Sequence, residues 1–403
     1  MSSLALGRPV AVAPGVWLRA SAIAATAATL LAATSGAFGF GPAHRVLAAL
    51  AAPPLVALVA VAWSAHRRLL PASLGAGALF GATAVLPASA AHVPLASLAC
   101  AASVVLCVQA FRGEPCTAGR WRDYVTLTKP RIMSLLLVTG ACGMVAGEGG
   151  LPSAGRFGAT MLGLALACGG ASALNHLLDR DIDRLMGKRT ERRPVAAGRL
   201  SPAQALEFGL ALSAFSFVLL AGAVNLLSAA LALLGNLFYV GVYTRWLKRS
   251  TPQNIVIGGA AGAVPPLVGF AAGSGHLTIA AFWLFLIVFL WTPPHFWALA
   301  LLLKDQYAAA SVPMLPVARG ERATLRQIVG YTFVLVAVTI VPAVVGTFGL
   351  VYLGGALALG GAFLVLALRL ARRPSRPHAA LLFHGSLLYL ALLFAAVAVD
   401  TLL

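Results

Sequence analysis

The sequence predicts an all-α polytopic membrane protein, a nine-helix core preceded by about four extra transmembrane helices. Three observations carry this. Of the 403 residues, 60% are hydrophobic and only 10% charged, and the mean hydropathy is +0.91, far outside the soluble range. Apolar windows of about twenty residues, the length that crosses a bilayer as a helix, recur along the whole chain. Between them, Lys and Arg collect in alternate loops, the asymmetry that orients helices with the basic side in the cytoplasm.

Four spans precede residue 112, at about 17–40, 46–64, 69–89 and 94–111. Nine follow, at about 132–148, 157–178, 203–224, 226–243, 254–273, 278–303, 327–348, 350–371 and 379–402. The rich loops hold Arg67-Arg68, Arg112 to Arg131, Arg180 to Arg199, Arg245 to Arg249, Lys304 to Arg326 and Arg369 to Arg376; the intervening loops carry little beyond Arg45 and Arg156. A thirteen-helix path with a cytoplasmic N-terminus satisfies every loop. A signal peptide is the other reading of the first span, but that span starts after Arg19 and lacks a clear small-residue cleavage site, so an uncleaved helix is favoured.

The polar, turn-rich stretch from Arg112 to Arg120 reads as a linker, dividing a membrane extension at 1–115, of unknown function, from a domain at 116–403. The four leading spans contain no acidic residue, and His44, His66 and His92 fall at span ends, where an interfacial histidine is commoner than a ligand. A scaffold role suits them. The net charge of +18 would suggest nucleic acid in a soluble chain; here the basic residues lie in short loops between spans, which excludes that reading. The five cysteines form no C-x-x-C pair, so neither a disulfide framework nor a cysteine metal site follows.

Only eleven residues are acidic, and three of them stand within five positions, in Asn175-His176-Leu177-Leu178-Asp179-Arg180-Asp181-Ile182-Asp183. If the preceding helix continues, Asn175, Asp179 and Asp183 fall at i, i+4 and i+8, a stripe drifting about 80° over roughly 12 Å, with Asp181 pointing elsewhere. An ionised Asp costs about 3 kcal/mol at the centre of a membrane helix and less toward its end, so aligned carboxylates are expected to hold something positive. Oxygen-only ligands favour a hard cation, and magnesium is the one that commonly bridges to a phosphate. The bland alternative is a solvated helix end. The loop after Asp183 is dense in cations from Arg184 to Arg193, and Tyr243 to Ser250 and Lys304-Asp305-Gln306-Tyr307 are predicted on the same face. Metal and basic side chains side by side describe a place for a polyanion. A diphosphate there leaves its hydrocarbon in the membrane, which suits a prenyl diphosphate better than ATP, and no P-loop pattern is present.

Here the residues resemble a known family. "NHLLDRDID" is similar to the N-x-x-x-D-x-x-x-D motif of the UbiA superfamily of intramembrane prenyltransferases, whose nine helices match the nine spans from residue 132. Within it, "DYVTLTKPRIMSLLLVTG", "RTERRPVAAGRLSPAQAL", "YTRWLKRSTPQNIVIGGAAGAVPPLVGFAA" and "WTPPHFWALALLLKDQYAAASVPMLPV" resemble the protoheme IX farnesyltransferase (haem O synthase) family. The resemblance covers about the last 280 residues and implies transfer of the farnesyl group of farnesyl diphosphate to a vinyl group of haem b. By the same resemblance, Asn175, Asp179 and Asp183 hold magnesium and diphosphate, and Arg189, Arg193, Arg245 and Lys248 neutralise the leaving group. Asp305 represents the second acidic motif, without a second carboxylate four residues away. Lys188 and Arg189 compete for one role. Tyr243, Trp291, Phe296 and Trp297 are candidates for an aromatic wall around the allylic cation, with core packing as the alternative for each. His295 either meets haem or is a satisfied core histidine. A haem A synthase is the implied partner, and the bacterial inner membrane, with the site facing the cytoplasm, the implied location. Two further readings stay open: a UbiA-type enzyme acting on an aromatic or quinone precursor, and a non-catalytic haem-handling or transport protein.

Overall fold

The computed structural model describes residues 14–37, 41–85, 92–111 and 119–403. Among these, twelve helices are long and apolar enough to cross a membrane, and the chain is an integral membrane protein. The helical form follows from the solvent: hydrocarbon offers no partner for backbone N–H and C=O, and a helix satisfies its own. The chain separates into two compact units, Met1–Pro115 and Cys116–Leu403.

The first unit contains α1 (Pro14–Ala37), α2 (Gly41–Ala65), α3 (Leu70–Val85) and α4 (His92–Phe111). Helix α1 packs on α2 and α4, and α3 on α2 and α4, closing a four-helix square around Leu18, Leu55, Leu58, Leu69 and Leu106. The third expected span, 69–89, appears as α3 with 16 residues, shorter than the roughly 20 that a perpendicular crossing needs. Its predicted end lies outside the described residues, as do positions 112–118 of the expected linker.

The second unit opens with the short α5 (Trp121–Thr128) and then carries α6 (Pro130–Glu148) and α7 (Ala154–Leu178). Two short helices, α8 (Arg180–Leu185) and α9 (Lys188–Glu191), lead to α10 (Pro202–Ala223). Ser201 and Gln204 start α10 with a reciprocal capping box, so its first N–H groups are satisfied before the chain enters the apolar layer. Helix α11 (Leu226–Leu237) continues as a π-helix over Phe238–Leu247 into α12 (Lys248–Ser250). A nearly continuous pair, α13 (Asn254–Gly262) and α14 (Val264–Ser274), precedes α15 (Ile279–Leu302), the short α16 (Lys304–Ala309) and α17 (Leu315–Ala318). The unit closes with α18 (Gly320–Val344), α19 (Leu350–Arg372) and α20 (Arg376–Leu402).

Two kinds of packing position the site. Helices α15, α18, α19 and α20 enclose an aromatic core that includes Trp297, Tyr352, Phe363, Tyr389 and Phe394. Asp400 on α20 accepts from Gly349 N at 2.5 Å and Tyr352 N at 3.1 Å, capping the start of α19 where the helix dipole is positive. Between α6 and α14, and between α7 and α10, the contacts are between backbones instead, because lipid supplies no hydrophobic drive and close approach must supply dispersion. Helix α6 meets α14 through Gly140, Gly143 and Gly147: a Cβ on Gly143 would lie 2.5 Å from Pro266 O, and one on Gly147 2.2 Å from Phe270 O. Gly170 of α7 and Gly209 of α10 make the same kind of contact.

Gly269→Ala should therefore lower the thermal midpoint of the detergent-solubilised protein by several degrees, since its Cβ would stand 1.9 Å from the backbone oxygen of Gly140, an overpacking cost of about 1–3 kcal/mol. Gly361→Ala, with nothing within 4 Å of the added methyl, should leave the midpoint unchanged or slightly raised; equal losses in both would refute the close-packing account.

Candidate active site at the polar end of the second unit

Helix α7 does not run through the acidic cluster as expected: it ends at Leu178, Asp179 turns with φ −89° and ψ 4°, and α8 restarts at Arg180. The break has a physical reason in Arg249, whose Nη2 donates to Leu178 O at 2.7 Å and takes a carbonyl freed at the helix end. The turn is tight enough to keep Asp179 N on Asn175 O at 2.9 Å and Asp183 N on Asp179 O at 2.8 Å. Asn175, Asp179 and Asp183 thus stay together and are all buried, at 3%, 1% and 1% exposure.

Charges compensate one another. Lys248 Nζ donates to Asp179 Oδ2 at 2.5 Å, Arg193 Nη1 to Asp183 Oδ1 at 2.6 Å, and Lys129 Nζ to Asn175 Oδ1 at 2.7 Å. Asn175 Nδ2 donates in turn to Asp179 Oδ2 at 2.8 Å and Thr244 Oγ1 at 3.1 Å. The remaining carboxylate oxygens, Asp179 Oδ1 and Asp183 Oδ2, are buried with no hydrogen-bond partner among the described residues. Two orphaned carboxylate oxygens beside an amide oxygen are a donor set that fits a hard divalent cation. Burial pushes the Asp183 carboxyl above its ordinary range, against the opposing pull of Arg193. Asp181 points elsewhere: it is exposed and receives both Nη atoms of Arg249, at 2.7 and 2.8 Å, which holds its carboxyl below the usual range.

Not every residue named from the sequence joins this cluster. Arg193 and Lys248 do; Arg189, Arg245 and Lys188 are exposed and form no ion pair with the carboxylates among the described residues. Asp305 is exposed on α16, while its neighbour Lys304 pairs with Glu321 at 2.9 Å. Tyr243 sits on the π-helix, stacked on Tyr239 at 5.4 Å, and fits against the backbone of Gly258, where a Cβ would meet its ring at 2.3 Å. π-Helical turns concentrate at functional sites, and this one also carries Thr244. Tyr243, Phe296 and Tyr307 pack on an apolar patch of Ile182, Met186, Ile255 and Met314, which brings the third polar loop beside α8. Burial pushes the Tyr307 phenol up to about 12, with Asp179 and Asp183 adding to the shift and Arg193 opposing it.

His295 and Trp297 lie in core packing. The His295 ring is stacked between Trp291 at 4.3 Å and Phe383 at 4.7 Å, and its Nδ1 pairs with Ser386 Oγ at 2.7 Å. Trp291 Nε1 donates to Ser386 O at 2.8 Å, and Trp297 is fully buried with its edge against Tyr331. Sequence reasoning did not single out Lys129, Thr244, Tyr239 or Tyr307. Lys129 offered one signal, a cation directly before the Pro130 that starts a span; its left-handed backbone, φ 51° before a proline, is strained by about 1–3 kcal/mol and turns the ammonium toward Asn175.

A nine-span helical unit with buried, cation-compensated carboxylates at one end defines the class, and the comparisons agree: residues 136–396 match the UbiA prenyltransferase family, to which the chain belongs. Relatives named protoheme IX farnesyltransferase are 54% identical over 281 residues in Symbiobacterium thermophilum, covering 69% of this chain and 94% of that one. In Gloeobacter violaceus such a relative is 51% identical over 296 residues, covering 73% of this chain and 96% of that one. The Thermus thermophilus relative is 51% identical over 280 residues, and the match spans only 46% of its length. In fold, the second unit is similar to digeranylgeranylglyceryl phosphate synthase, with TM-score 0.59 at 18% identity, covering 70% of this chain and 98% of that one. A UbiA homolog from Archaeoglobus fulgidus, solved with GPP and Mg2+, gives TM-score 0.50 at 18% identity, covering 68% of this chain and 99% of that one.

Two predictions follow from the geometry. Asp179→Asn and Asp183→Asn should each lower prenyl-transfer turnover by about a hundredfold or more, whereas Asp181→Asn, which loses only an exposed ion pair, should cost less than about tenfold. Comparable losses in all three would contradict the assignment. Separately, burial, with Arg193 and Lys248 nearby, lowers the Lys129 ammonium to about 7. A lysine depressed in the folded state is charged below that value and neutral above it, so anion binding that uses its charge weakens as pH rises through 7. Pyrophosphate affinity of the wild type relative to Lys129→Arg, followed by calorimetry from pH 6 to pH 9, should fall by up to about tenfold per pH unit above 7. A flat ratio would exclude Lys129 from the anion site.

Proposed function

We propose that the chain transfers the farnesyl group of farnesyl diphosphate to a vinyl group of haem b, giving haem O and diphosphate. The observation that carries this reading is the buried cluster of Asn175, Asp179 and Asp183 with Lys129, Arg193 and Lys248, in a chain 54% identical to a protoheme IX farnesyltransferase across 94% of that relative. Magnesium would be held by Asn175, Asp179 and Asp183, where it supplies Lewis-acid neutralisation of the diphosphate. Each oxygen facing that position is held by a cation or is orphaned, so Lys129, Arg193 and Lys248 are free to turn from the carboxylates to diphosphate oxygens when both ligands arrive.

The allylic C–O bond breaks heterolytically and the electron pair leaves with the diphosphate, which the lysines and arginine hold. The vinyl π electrons attack the farnesyl cation, the new cation beside the porphyrin ring captures water, and loss of one proton leaves the hydroxyethylfarnesyl side chain. No side chain has to act as a nucleophile, so electrostatic stabilisation of the leaving group is the main contribution of the protein. Tyr243, Phe296 and Tyr307 offer ring faces and apolar surface to the hydrocarbon. His295, between its stacked neighbours, is proposed as an acceptor-side residue that shapes the wall facing the porphyrin. We assign the chemistry to residues 116–403, since relatives matched over 94% and 96% of their length need no counterpart of the leading unit. The site is proposed to open to the cytoplasm of a bacterial inner membrane, with a haem A synthase taking the product.

Membranes containing the protein should convert haem b to haem O only when farnesyl diphosphate and magnesium are both supplied, read by mass spectrometry of extracted haem. Prenylation of an aromatic acid in place of haem would select the quinone-precursor reading, and absence of any prenyl transfer would select a non-catalytic role.

A further inference from the structure

We infer that the first unit holds an iron porphyrin of its own, ligated axially by His44 and His92. These residues belong to different helices, α2 and α4, and stand 48 positions apart in sequence, yet their ring centroids are 6.0 Å apart with planes at 82°. Metal–imidazole bonds of about 2 Å on opposite sides of one metal put two ring centroids about 6 Å apart.

The hydrogen bonds set the tautomer. His44 Nδ1 lies 2.9 Å from Ala32 O and 3.2 Å from Ser35 Oγ, and His92 Nδ1 lies 3.1 Å from Thr83 O. A carbonyl only accepts, so each Nδ1 carries the proton and each Nε2 keeps its lone pair, the form in which a histidine binds metal with its second nitrogen anchored to the protein. The anchors come from α1 and α3, so all four helices of the square orient the two rings. Helix α1 also abuts His44 directly at Gly36, where a Cβ would stand 3.0 Å from the ring.

Ligand count selects the metal group. Among the described residues no cluster of three or more His, Cys, Asp or Glu exists, and the first 113 positions contain no carboxylate side chain at all. A bare zinc or other ion needing four protein donors is therefore poorly served. A porphyrin brings four equatorial nitrogens and asks the protein for two axial ones, and the surrounding helices offer an apolar, alanine-rich wall. Both rings are half-buried at one end of the bundle, formed by the last turns of α1 and α3 and the first turns of α2 and α4. This site is independent of the transfer reaction proposed for residues 116–403 and does not require it.

The purified full-length protein should be titrated with haem b and followed by absorption and electron paramagnetic resonance. A six-coordinate, low-spin species is expected, lost in His44→Ala and in His92→Ala and retained in His295→Ala, with helical content by circular dichroism unchanged. His92→Met, which replaces one ligand by a thioether, should bind haem with a shifted spectrum and serves where the alanine variants fail to fold. A low-spin spectrum indifferent to both histidines, or none in the folded wild type, would overturn the inference and leave an edge-to-face ring pair.

Discussion

Burying two carboxylates at the edge of an apolar layer is the constraint around which the second unit is arranged. Asp179 and Asp183 are 1% exposed, and a charge so placed is tolerated only with partners. Those partners come from far along the chain: Lys129 before α6, Arg193 after α9, Lys248 at the end of the π-helix. Each polar contact therefore ties a distant segment to the turn between α7 and α8. The compensation is incomplete by one oxygen per carboxylate. An incompletely satisfied buried pair is costly in a structural role and useful in a binding one, because an arriving cation meets oxygens that have lost water and found nothing else.

The same constraint explains the irregular backbone. At the turn of Asp179 the bonds Asp179 N to Asn175 O and Asp183 N to Asp179 O are kept, so the three side chains retain near-helical spacing although the helix is interrupted. The π-helix over Phe238–Leu247 adds a further departure at the same end, carrying Tyr239, Tyr243 and Thr244 toward the cluster. Such departures survive near a membrane where protein groups take the freed hydrogen bonds, as Arg249 does for Leu178. The regular part of the unit provides the rigidity, through glycine contacts between α6 and α14 and the aromatic core of α15 and α18 to α20. Two modes of packing thus share the unit: close backbone contacts between α6 and α14 and between α7 and α10, and large interlocked rings among α15, α18, α19 and α20.

What the chain determined by itself is what depends on composition and local order. Hydropathy over twenty-residue windows defines membrane helices because the bilayer tests each segment separately, and the spans after residue 120 lie close to where the apolar windows put them. The acidic cluster was equally legible, because carboxylates are scarce and the N-x-x-x-D-x-x-x-D spacing is local. Partner choice was not legible. Arg193 and Arg189, or Lys248 and Arg245, are equivalent as basic loop residues, and only the path of the loop decides that one meets a carboxylate while the other faces outward. The end of α7 at Leu178 depends on an arginine 71 positions away. Tertiary packing also decided that His295 stacks between Trp291 and Phe383, and that His44 and His92, unremarkable at two span ends, meet edge to face at one end of a helix bundle. The physical reason is common to all four: helix formation and membrane insertion are settled within a segment, whereas ion pairs, ring stacks and paired ligands require distant segments to arrive at one place, and no local pattern encodes that meeting.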